Sequence, residues 1–328
     1  MRYLSLFSGI GGFEVAIHQV YGNTAECVGY SEIDKHALAE YERHYPNHTN
    51  IGDVTKIKKK DIEALGNIDI VIGGFPCSDL SSVNYKDRKG LDGEKSGLFW
   101  TMLKILKWAR STNPGLQIII ENNASMAHRW RDIISNELTK VFKQPVYCNY
   151  FDSSQWVMQR RRRYYWTITK IPIYNGPRLH TMKDVLVPVY KAIKYVLSER
   201  AVEYMNASPK HLQFNSGKIM HNSDDCYTLV DVPYATRLSS GKGSSSKNDF
   251  IRCVDTRLQN AFILDYRLCK GKHTFLPRYL TIEEINNIFG FPENYVFDTR
   301  SSVYLKLYGM TVTPPVIKHI LITMKDNP

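Results

Sequence analysis

The amino-acid sequence predicts an α/β fold with a mostly parallel sheet, and two observations support that prediction. Short apolar runs rich in Val and Ile alternate with amphipathic stretches through the first half of the chain, which is the pattern of βαβ units. Hydrophobic residues make up 43% of the 328 residues, which is enough to form a core around such a sheet. The length suits one large domain, alone or with a smaller one.

The strands and helices of the first half follow from the spacing of apolar residues. Strands are predicted at residues 3–7, 25–33, 68–77 and 116–122, with two more within 139–168. Helices are predicted at about residues 13–20, 34–45 and 96–111. Asp34 stands at the start of the second helix, where its carboxylate would cap the first turn.

The second half of the chain is less regular. After about Lys170 the apolar pattern loosens, and a Ser/Gly/Lys tract at residues 237–249 predicts long loops. Regular spacing returns at residues 278–291, where a helix is predicted to begin near Thr281. A last helix is predicted at residues 313–324, because a pair of prolines fits the start of a helix.

The charge balance and the cysteines limit the kind of protein. A net charge of +11 and a pI of about 9.2 favour a polyanionic partner, because Lys and Arg displace counterions from phosphates. The six cysteines show no CxxC pair and no zinc-ligand spacing, so we expect a reduced protein without a metal site. No apolar run is long enough to span a membrane, and the N-terminus lacks a signal-peptide layout. We therefore expect a cytoplasmic protein that is not secreted.

A glycine-rich turn, FSGIGG at residues 7–12, directly follows the first strand and opens a helix. Glycines there permit a tight turn and let a ligand approach the backbone. Glu32 follows the second strand, where a carboxylate can hold ribose hydroxyls, and Asp53 follows the next predicted strand. The alternative interpretation is that the turn is structural and that each carboxylate is a helix cap or a surface charge.

Two further strand ends carry groups suited to covalent chemistry. The segment GGFPCSDLS places Cys77 in a Pro-bounded loop at the end of a buried strand, where α/β sheets bind their ligands. A single cysteine is otherwise most often an inert buried residue. The segment IIIENN places Glu121 and Asn122 at the end of the next buried strand, and a carboxylate there favours acid–base chemistry.

Four consecutive arginines stand beside aromatic residues in QRRRRYYW. Because side chains alternate along a strand, Arg161 and Arg163 should share one face, and Arg160 and Arg162 the other. Such a pair can hold a phosphate or a base carbonyl. The alternative is a solvated basic edge strand.

These motifs, in this order, resemble those of the cytosine-5 DNA methyltransferase family over about residues 1–169 and 278–322. FSGIGG resembles the family's turn for S-adenosylmethionine (SAM), the Pro-Cys pair its nucleophile loop, and ENN its ENV motif. QRRRR is similar to QxRxR, RYLT to RxLT, and GMTVTPPV to the terminal GN-[AS]-V motif. Three residues depart from the commonest family pattern: Ser78, Asn123 and Met310.

The resemblance implies a Rossmann-like, SAM-dependent methyltransferase domain in residues 1–169 and 278–328. A smaller, irregular target-recognition domain would occupy residues 170–277, positioned by Arg278 and Thr281. The implied activity is that of a DNA (cytosine-5-)-methyltransferase, which transfers a methyl group from SAM to C5 of a flipped cytosine in a specific sequence of double-stranded DNA. Type II restriction–modification enzymes have this activity. The expected protein is a monomer that uses no metal.

The family likeness also assigns roles to matching residues. Cys77 is implied as the nucleophile that attacks C6 of the base. Glu121 in its protonated form would bond N3 of the cytosine, which requires a raised pKa, and Arg163 would bond its O2. The implied catalytic residues are Cys77, Glu121, Arg161 and Arg163. The residues implied to bind SAM are Phe7, Gly9, Gly11, Glu32, Ile33, Asp53, Leu98, Thr311 and Val312.

Three other functions compete with this interpretation. One branch of the family methylates cytosine in tRNA, but the sizeable variable region favours duplex DNA. A nicotinamide-binding oxidoreductase would also use a glycine-rich turn, but GIGG lacks GxGxxG spacing and the other motifs would go unexplained. A catalytically inactive DNA-binding homologue is the third, and the presence of both Cys77 and Glu121 argues against it.

Overall fold

The computed structural model describes residues 1–80, 89–176, 182–196, 227–230, 251–252, 262–265, 276–295 and 302–327. The chain divides into two compact units. Unit 1 comprises Met1–Asp152, Arg162–Asn175 and Thr311–Pro328, and unit 2 comprises Ser153–Arg161 and Gly176–Met310. The tract at residues 237–249 lies outside the described residues.

Unit 1 is built on a six-stranded sheet. Numbered along the whole chain, its strands are β1 (Arg2–Leu6), β2 (Glu26–Ser31), β3 (Ile70–Gly74), β4 (Gln117–Asn123), β5 (Tyr147–Asp152) and β7 (Arg162–Thr167). Their order across the sheet is β2-β1-β3-β4-β7-β5. β1 pairs in parallel with β2 and β3, and β3 with β4, whereas β7 is antiparallel to β4 and β5. The α/β prediction is confirmed, and the sheet is mixed although mostly parallel.

The helices of unit 1, numbered in the same way, are α1 (Gly12–Tyr21), α2 (Lys35–His44), α3 (Lys59–Ala64), α4 (Leu98–Thr112), α5 (His128–Phe142) and α10 (Pro314–Asp326). Asp34 caps α2 as predicted, because its side chain accepts hydrogen bonds from the N–H groups of His36 and Ala37. The predicted proline start of α10 is also confirmed.

Two predictions for unit 1 were wrong. Helix α5 was not predicted, and residues 139–142, which the sequence analysis placed in a strand, form its last turn. Its buried residues Ile134, Leu138 and Phe142 recur only every fourth position, which is a narrow apolar stripe. The strand predicted before Asp53 is reduced to one isolated parallel bridge between Asn50 and Tyr30.

The core of unit 1 packs α4 against the middle strands of the sheet. Val71, Ile118 and Ile120 on the strands are fully buried together with Phe99 and Leu106 of the helix. The chain leaves β1 toward β2 on one side and returns to β3 on the other side of β1. Such a reversal opens a crevice at the carboxyl ends of β1 and the strands beside it, which is where open α/β sheets bind ligands.

Unit 2 contains a three-stranded antiparallel sheet in the order β11 (Leu276–Tyr279), β10 (Phe262–Asp265) and β8 (Tyr227–Val230). A short parallel pair joins β6 (Gln159–Arg160) to β9 (Ile251–Arg252). Its helices are α6 (Met182–Val185), α7 (Val189–Ala192), α8 (Ile282–Phe289) and α9 (Ser302–Met310). Helix α8 begins after Thr281 as predicted. Unit 2 takes in residues 278–310, which the sequence analysis grouped with the methyltransferase domain.

Candidate active site

The turn after β1 has a backbone suited to a ligand. Phe7, Gly9 and Gly11 have φ values of 56°, 57° and 84°, which lie in the left-handed region. Glycine adopts that region without cost, whereas a residue such as Phe7 is strained there, and such strain clusters at functional sites. A Cβ added at Gly9 would meet no atom within 4 Å, so the turn faces open space at this point.

Glu32 ties the end of β2 to this turn. Its Oε2 accepts a hydrogen bond from the N–H of Gly9 at 2.8 Å, and its Oε1 accepts from Ile33 and Asp34 at 2.7 and 2.8 Å. An ionised carboxylate has about four acceptor positions, so these three bonds leave capacity for a ligand hydroxyl. Ile33 beside it is 68% exposed.

Asp53 and Leu98 were also predicted to bind the cofactor, and each has its own local surroundings. Oδ1 of Asp53 accepts hydrogen bonds from the N–H and the hydroxyl of Thr55, and these bonds lower the pKa of Asp53. Asp53 is therefore ionised at neutral pH. Leu98 is the first residue of α4 and packs partly against the core.

Thr311 and Val312 are buried and pack against the start of α1. A Cβ added at Gly12 would lie 2.5 Å from Oγ1 of Thr311 and 3.0 Å from Cγ2 of Val312. Only glycine allows this close approach, which explains the last glycine of FSGIGG. The C-terminal motif thus lies directly behind the turn that the sequence analysis assigned to the cofactor.

Cys77 follows β3 and is partly exposed. In Cys27 and Cys148, the other two cysteines in the described part of the chain, burial raises the pKa of each thiol to about 12. A thiol with so high a pKa is almost entirely protonated at neutral pH and is a poor nucleophile. The location of Cys77 at the end of a central strand is the one predicted.

Glu121 lies directly beside the strand that leads to Cys77. Gly74 of β3 pairs with Glu121 of β4, and a Cβ added at Gly74 would lie 2.6 Å from Oε2 of the carboxylate. Nε of Arg163 contacts Oε1 of Glu121 at 2.8 Å, and the two side chains are only 10% and 11% exposed. A charged pair in so enclosed a place is held firmly by its hydrogen bond.

Asn122 supplies a contact to which the sequence analysis gave no role. Its Nδ2 donates to the carbonyl oxygen of Phe75 at 2.9 Å, and its side chain is buried. The bond ties the end of β4 to the loop that carries Cys77. An amide at a buried strand end, next to a carboxylate, was the only sequence signal for it.

The four arginines alternate in burial as predicted, with Arg161 and Arg163 buried and Arg160 and Arg162 exposed. The two buried arginines nevertheless contact different parts of the chain. Arg163 pairs with Glu121 in unit 1, whereas Arg161 belongs to unit 2, between β6 and β7. There Nη2 of Arg161 donates to the carbonyl oxygen of Gly309 at 3.0 Å, and its guanidinium lies over the ring of Phe289.

The residues at which the chain departs from the commonest family pattern have separate surroundings. Oγ of Ser78 is buried without a hydrogen-bond partner among the described residues. Oδ1 of Asn123 accepts from the N–H of Ser125 at 2.9 Å, and Met310 is 47% exposed.

Within the described residues, no group of three or more His, Cys, Asp or Glu side chains is arranged to hold a metal ion. None of the helices described is both long and apolar enough to cross a membrane.

Comparison with known proteins identifies the family to which these features belong. The family model described as C-5 cytosine-specific DNA methylase matches residues 1–326. The chain belongs to this family. It is therefore a DNA (cytosine-5-)-methyltransferase, and SAM is the methyl donor that such methylases use. The alternative of a nicotinamide-dependent oxidoreductase is excluded.

Individual relatives of this methylase include bacterial enzymes. It is 35% identical to the type II methyltransferase M.BsuFI of Bacillus subtilis, over its whole length and 73% of that protein. It is 27% identical to the type II methyltransferase M.SsoII of Shigella sonnei, over 97% of this chain and 78% of that protein.

Solved structures agree on the fold. The crystal structure of S. pombe Dnmt2 methyltransferase matches with a TM-score of 0.68 at 15% identity, covering 100% of this chain and 99% of the other. The structure of a Spodoptera frugiperda DNMT2 mutant matches with a TM-score of 0.65 at 18% identity, covering 99% of each chain.

Proposed function

We propose that this methylase modifies a specific sequence in double-stranded DNA and that Cys77 forms a covalent bond with C6 of the flipped cytosine. One observation carries the proposal. The pairing of Gly74 with Glu121 places an enclosed acid, held by Arg163, beside the strand that delivers Cys77. A nucleophile and an acid are the two groups that the reaction requires.

The proposed SAM site is the crevice at the ends of β1 and β2. The exposed left-handed turn at Gly9, the carboxylate of Glu32 with its remaining acceptor capacity and the exposed Ile33 fit a ligand with a ribose and an adenine. SAM supplies a methyl group on a sulfonium centre. The residues proposed to hold it are Phe7, Gly9, Gly11, Glu32, Ile33, Asp53, Leu98, Thr311 and Val312.

The chemistry follows from the poor nucleophilicity of cytosine C5. Attack of the Cys77 thiolate on C6 forms the C6–S bond and moves the electrons of the C5=C6 double bond toward C5. The carboxylate of Glu121 takes up a proton from solvent as the cytosine enters, bonds N3 of the ring through that proton and offsets the negative charge that develops there. C5 would then form a bond to the methyl group, whose bond to the sulfonium sulfur would break and leave a neutral thioether. Loss of the C5 proton to a base restores the double bond and releases Cys77.

The two buried arginines have different proposed roles. Arg163 orients Glu121 and bonds O2 of the cytosine, since a guanidinium donates from several N–H groups in one plane. Arg161 contributes by supporting the chain at Gly309, two residues before Thr311. It is thus proposed as a positioning residue.

Target recognition is assigned to residues 170–277, whose sequence is basic and lacks a regular apolar pattern. Lys and Arg in this region would read guanine in the major groove or hold phosphates. Flipping the cytosine out of the duplex costs about a few kcal/mol, which binding by the basic surface offsets. We propose that the protein acts on DNA as a monomer. The named relatives suggest a type II modification enzyme that works wherever DNA is accessible, as in the cytoplasm of a bacterium.

Methylation of a plasmid with labelled SAM, followed by sequencing at base resolution, tests the proposal. We expect 5-methylcytosine at one recurring sequence and none in a matched tRNA sample. Methylation of the tRNA alone would refute the choice of duplex DNA.

The role of Cys77 has its own test. Cys77→Ser should abolish turnover and retain SAM binding, because a hydroxyl is far less ionised than a thiol near neutral pH. Cys148→Ser is the matched control and should remain active.

DNA with 5-fluorocytosine at the target should trap the native enzyme covalently, because fluorine at C5 cannot leave as a proton. Full activity of Cys77→Ser, or no adduct on a denaturing gel, would refute the mechanism.

A further inference from the structure

The loop that carries Cys77 is held by a second set of hydrogen bonds, apart from the acid and the arginine described above. Ser96 is fully buried, and its Oγ donates to the carbonyl oxygen of Pro76 at 2.9 Å. The same Oγ accepts a hydrogen bond from the N–H of Asp79 at 3.1 Å. One hydroxyl group thus bonds the backbone on both sides of Cys77.

The side chain of Asp79 in turn bonds the backbone at Ser96. Its Oδ2 accepts hydrogen bonds from the N–H of Ser96 at 2.8 Å and from the N–H of Lys95 at 3.1 Å. The space around this carboxylate is filled, because a Cβ added at Gly93 would lie 2.5 Å from Cγ of Asp79. Ser96 and Asp79, which we call the loop clamp, therefore bond each other through both side chains.

The clamp acts on the peptide groups next to the nucleophile. Pro76 directly precedes Cys77, Asp79 follows two residues later, and the N–H of Leu80 donates to the carbonyl oxygen of Cys77 at 3.0 Å. The direction in which a side chain leaves a loop is set by these peptide planes. A shift of one plane would therefore move Sγ relative to a base held elsewhere in the site.

We propose that Ser96 and Asp79 are positioning residues, which hold Sγ of Cys77 on the line of attack toward C6 of the cytosine. The proposal rests on the proposed role of Cys77 as the nucleophile. Covalent attack depends steeply on geometry, and a misplacement of about 1 Å can cost about 100-fold in rate. A purely structural role would instead show in stability and leave the rate of the bound complex unchanged.

Ser96→Ala is the first test, because it removes the bridging hydroxyl and adds no atom. We expect kcat to fall about 10- to 100-fold. KM for DNA and the Kd for SAM should stay within about threefold, because neither ligand is held by the clamp. The rate at which 5-fluorocytosine DNA is trapped should fall by the same factor as kcat, since it measures attack by Cys77.

Ser135→Ala is the matched control. Oγ of Ser135 also makes one bond of each kind, since it donates to the carbonyl oxygen of Arg131 at 2.9 Å and accepts from Nε1 of Trp166 at 2.8 Å. It belongs to α5 and lies outside the nucleophile loop. The two variants should lose comparable thermal stability, while Ser135→Ala keeps the native kcat.

Asp79 provides a second pair of variants on the same clamp. Asp79→Asn keeps an oxygen that can accept from Lys95 and Ser96, whereas Asp79→Ala removes it. We expect Asp79→Asn to retain most of the trapping rate and Asp79→Ala to lose it about as Ser96→Ala does. This pair decides the question if Ser96→Ala does not fold.

The proposal is overturned if Ser96→Ala keeps its kcat, or loses no more than Ser135→Ala. It is also overturned if Asp79→Asn and Asp79→Ala have equal trapping rates. A failure of the proposed function would give a different result. Cys77→Ser would then be active, which none of the outcomes named for the clamp variants requires.

Discussion

Two adjacent glycines at the end of β3 have different neighbours, and the neighbour determines what a larger side chain would disturb. A Cβ at Gly73 would lie 2.5 Å from the backbone carbonyl oxygen of Leu6, in β1. A Cβ at Gly74 would lie 2.6 Å from Oε2 of Glu121 instead. The first neighbour is backbone inside a sheet and cannot move, whereas the second is the end of a side chain that can turn aside.

Alanine at Gly73 should therefore mainly lower stability, whereas alanine at Gly74 should mainly lower activity. Gly73→Ala should destabilise the fold by about 1–3 kcal/mol, as overpacking does. Gly74→Ala should displace the Glu121 carboxylate and lower kcat about 10- to 100-fold with a smaller loss of stability. Denaturant unfolding and steady-state kinetics on both variants check this. Equal effects of the two substitutions on kcat would contradict the role given to Gly74.

A second residue-level feature is Glu14, in the first turn of α1. It is fully buried, and burial raises its pKa from 4.5 to about 7. The hydroxyl of Tyr41 donates to its Oε1 at 3.1 Å and lies 3.0 Å from Nδ1 of His48. Burial lowers the pKa of His48 to about 4. Both groups are thus held in their neutral forms at mildly acidic pH.

The stability that protonated Glu14 contributes is complete below about pH 4.5 and is lost as the pH rises through 7, because the folded state holds the proton more tightly. Relative to the native protein, Glu14→Gln should therefore gain about 3 kcal/mol of unfolding free energy between pH 4.5 and 7.5. Both proteins contain His48, whose lowered pKa makes stability rise with pH, so its contribution cancels in the difference between them. The control is Glu63→Gln, on the surface of α3. A difference that stays flat with pH would refute this interpretation.

At the scale of elements, the start of α8 combines a cap with a buried ion pair. Thr281 accepts a hydrogen bond from the N–H of Glu284, and the carboxylate of Glu284 accepts from the N–H of Thr281. Both guanidinium ends of Arg278 bond the same carboxylate at 2.7 Å, and neither side chain is exposed. The two residues that the family likeness linked to the recognition region thus hold β11 to α8 within unit 2.

Removing one partner of that pair leaves a charge buried without compensation. Arg278→Met should destabilise unit 2 by about 3–5 kcal/mol. Adding Glu284→Gln should recover part of the loss, because the amide removes the uncompensated charge and keeps an oxygen for the N–H groups of Thr281 and Val187. Lys191→Met breaks the exposed pair with Glu283 and should change little. Thermal unfolding of the three variants checks the order. A double variant no more stable than Arg278→Met would contradict it.

At the scale of the whole molecule, the proposal separates chemistry from sequence recognition. Every residue assigned to SAM or to the base lies outside residues 170–277, and that region is basic and poor in regular pattern. A region that reads DNA needs donors that reach base edges and cations that reach phosphates, and it needs no part of the cofactor site.

Substitutions of basic residues within 170–277 should accordingly form two groups. Loss of a base-reading residue should change which cytosines are methylated, at about 1–3 kcal/mol for each bidentate contact. Loss of a phosphate-holding residue should weaken binding on all sequences and lower its salt dependence. Calorimetry without DNA should give an unchanged SAM affinity in both groups. A scan that abolishes SAM binding and leaves sequence preference intact would show that recognition lies elsewhere.

The sequence by itself determined the strand ends at which the chemistry is proposed. Apolar runs followed by Gly, Pro or an acidic residue mark these ends locally, so the positions of Cys77, Glu121 and Glu32 could be predicted. The alternating burial of the arginines was also predictable, because side chains alternate along strands such as β6 and β7, which lie on either side of Arg161. Helix α5 could not be found in this way, since its apolar stripe is only one residue wide at each turn.

Only the tertiary structure decided which side chains meet. The hydroxyl of Ser96 bonds a carbonyl 20 positions away, and Asn122 bonds one 47 positions away. Arg163 contacts Glu121, whereas Arg161, two residues earlier, is held in unit 2 by Gly309. Local spacing gives the direction of a side chain from its own strand, but a hydrogen bond also needs the position of its partner. That position depends on strand order and register, which arise from packing of the whole sheet.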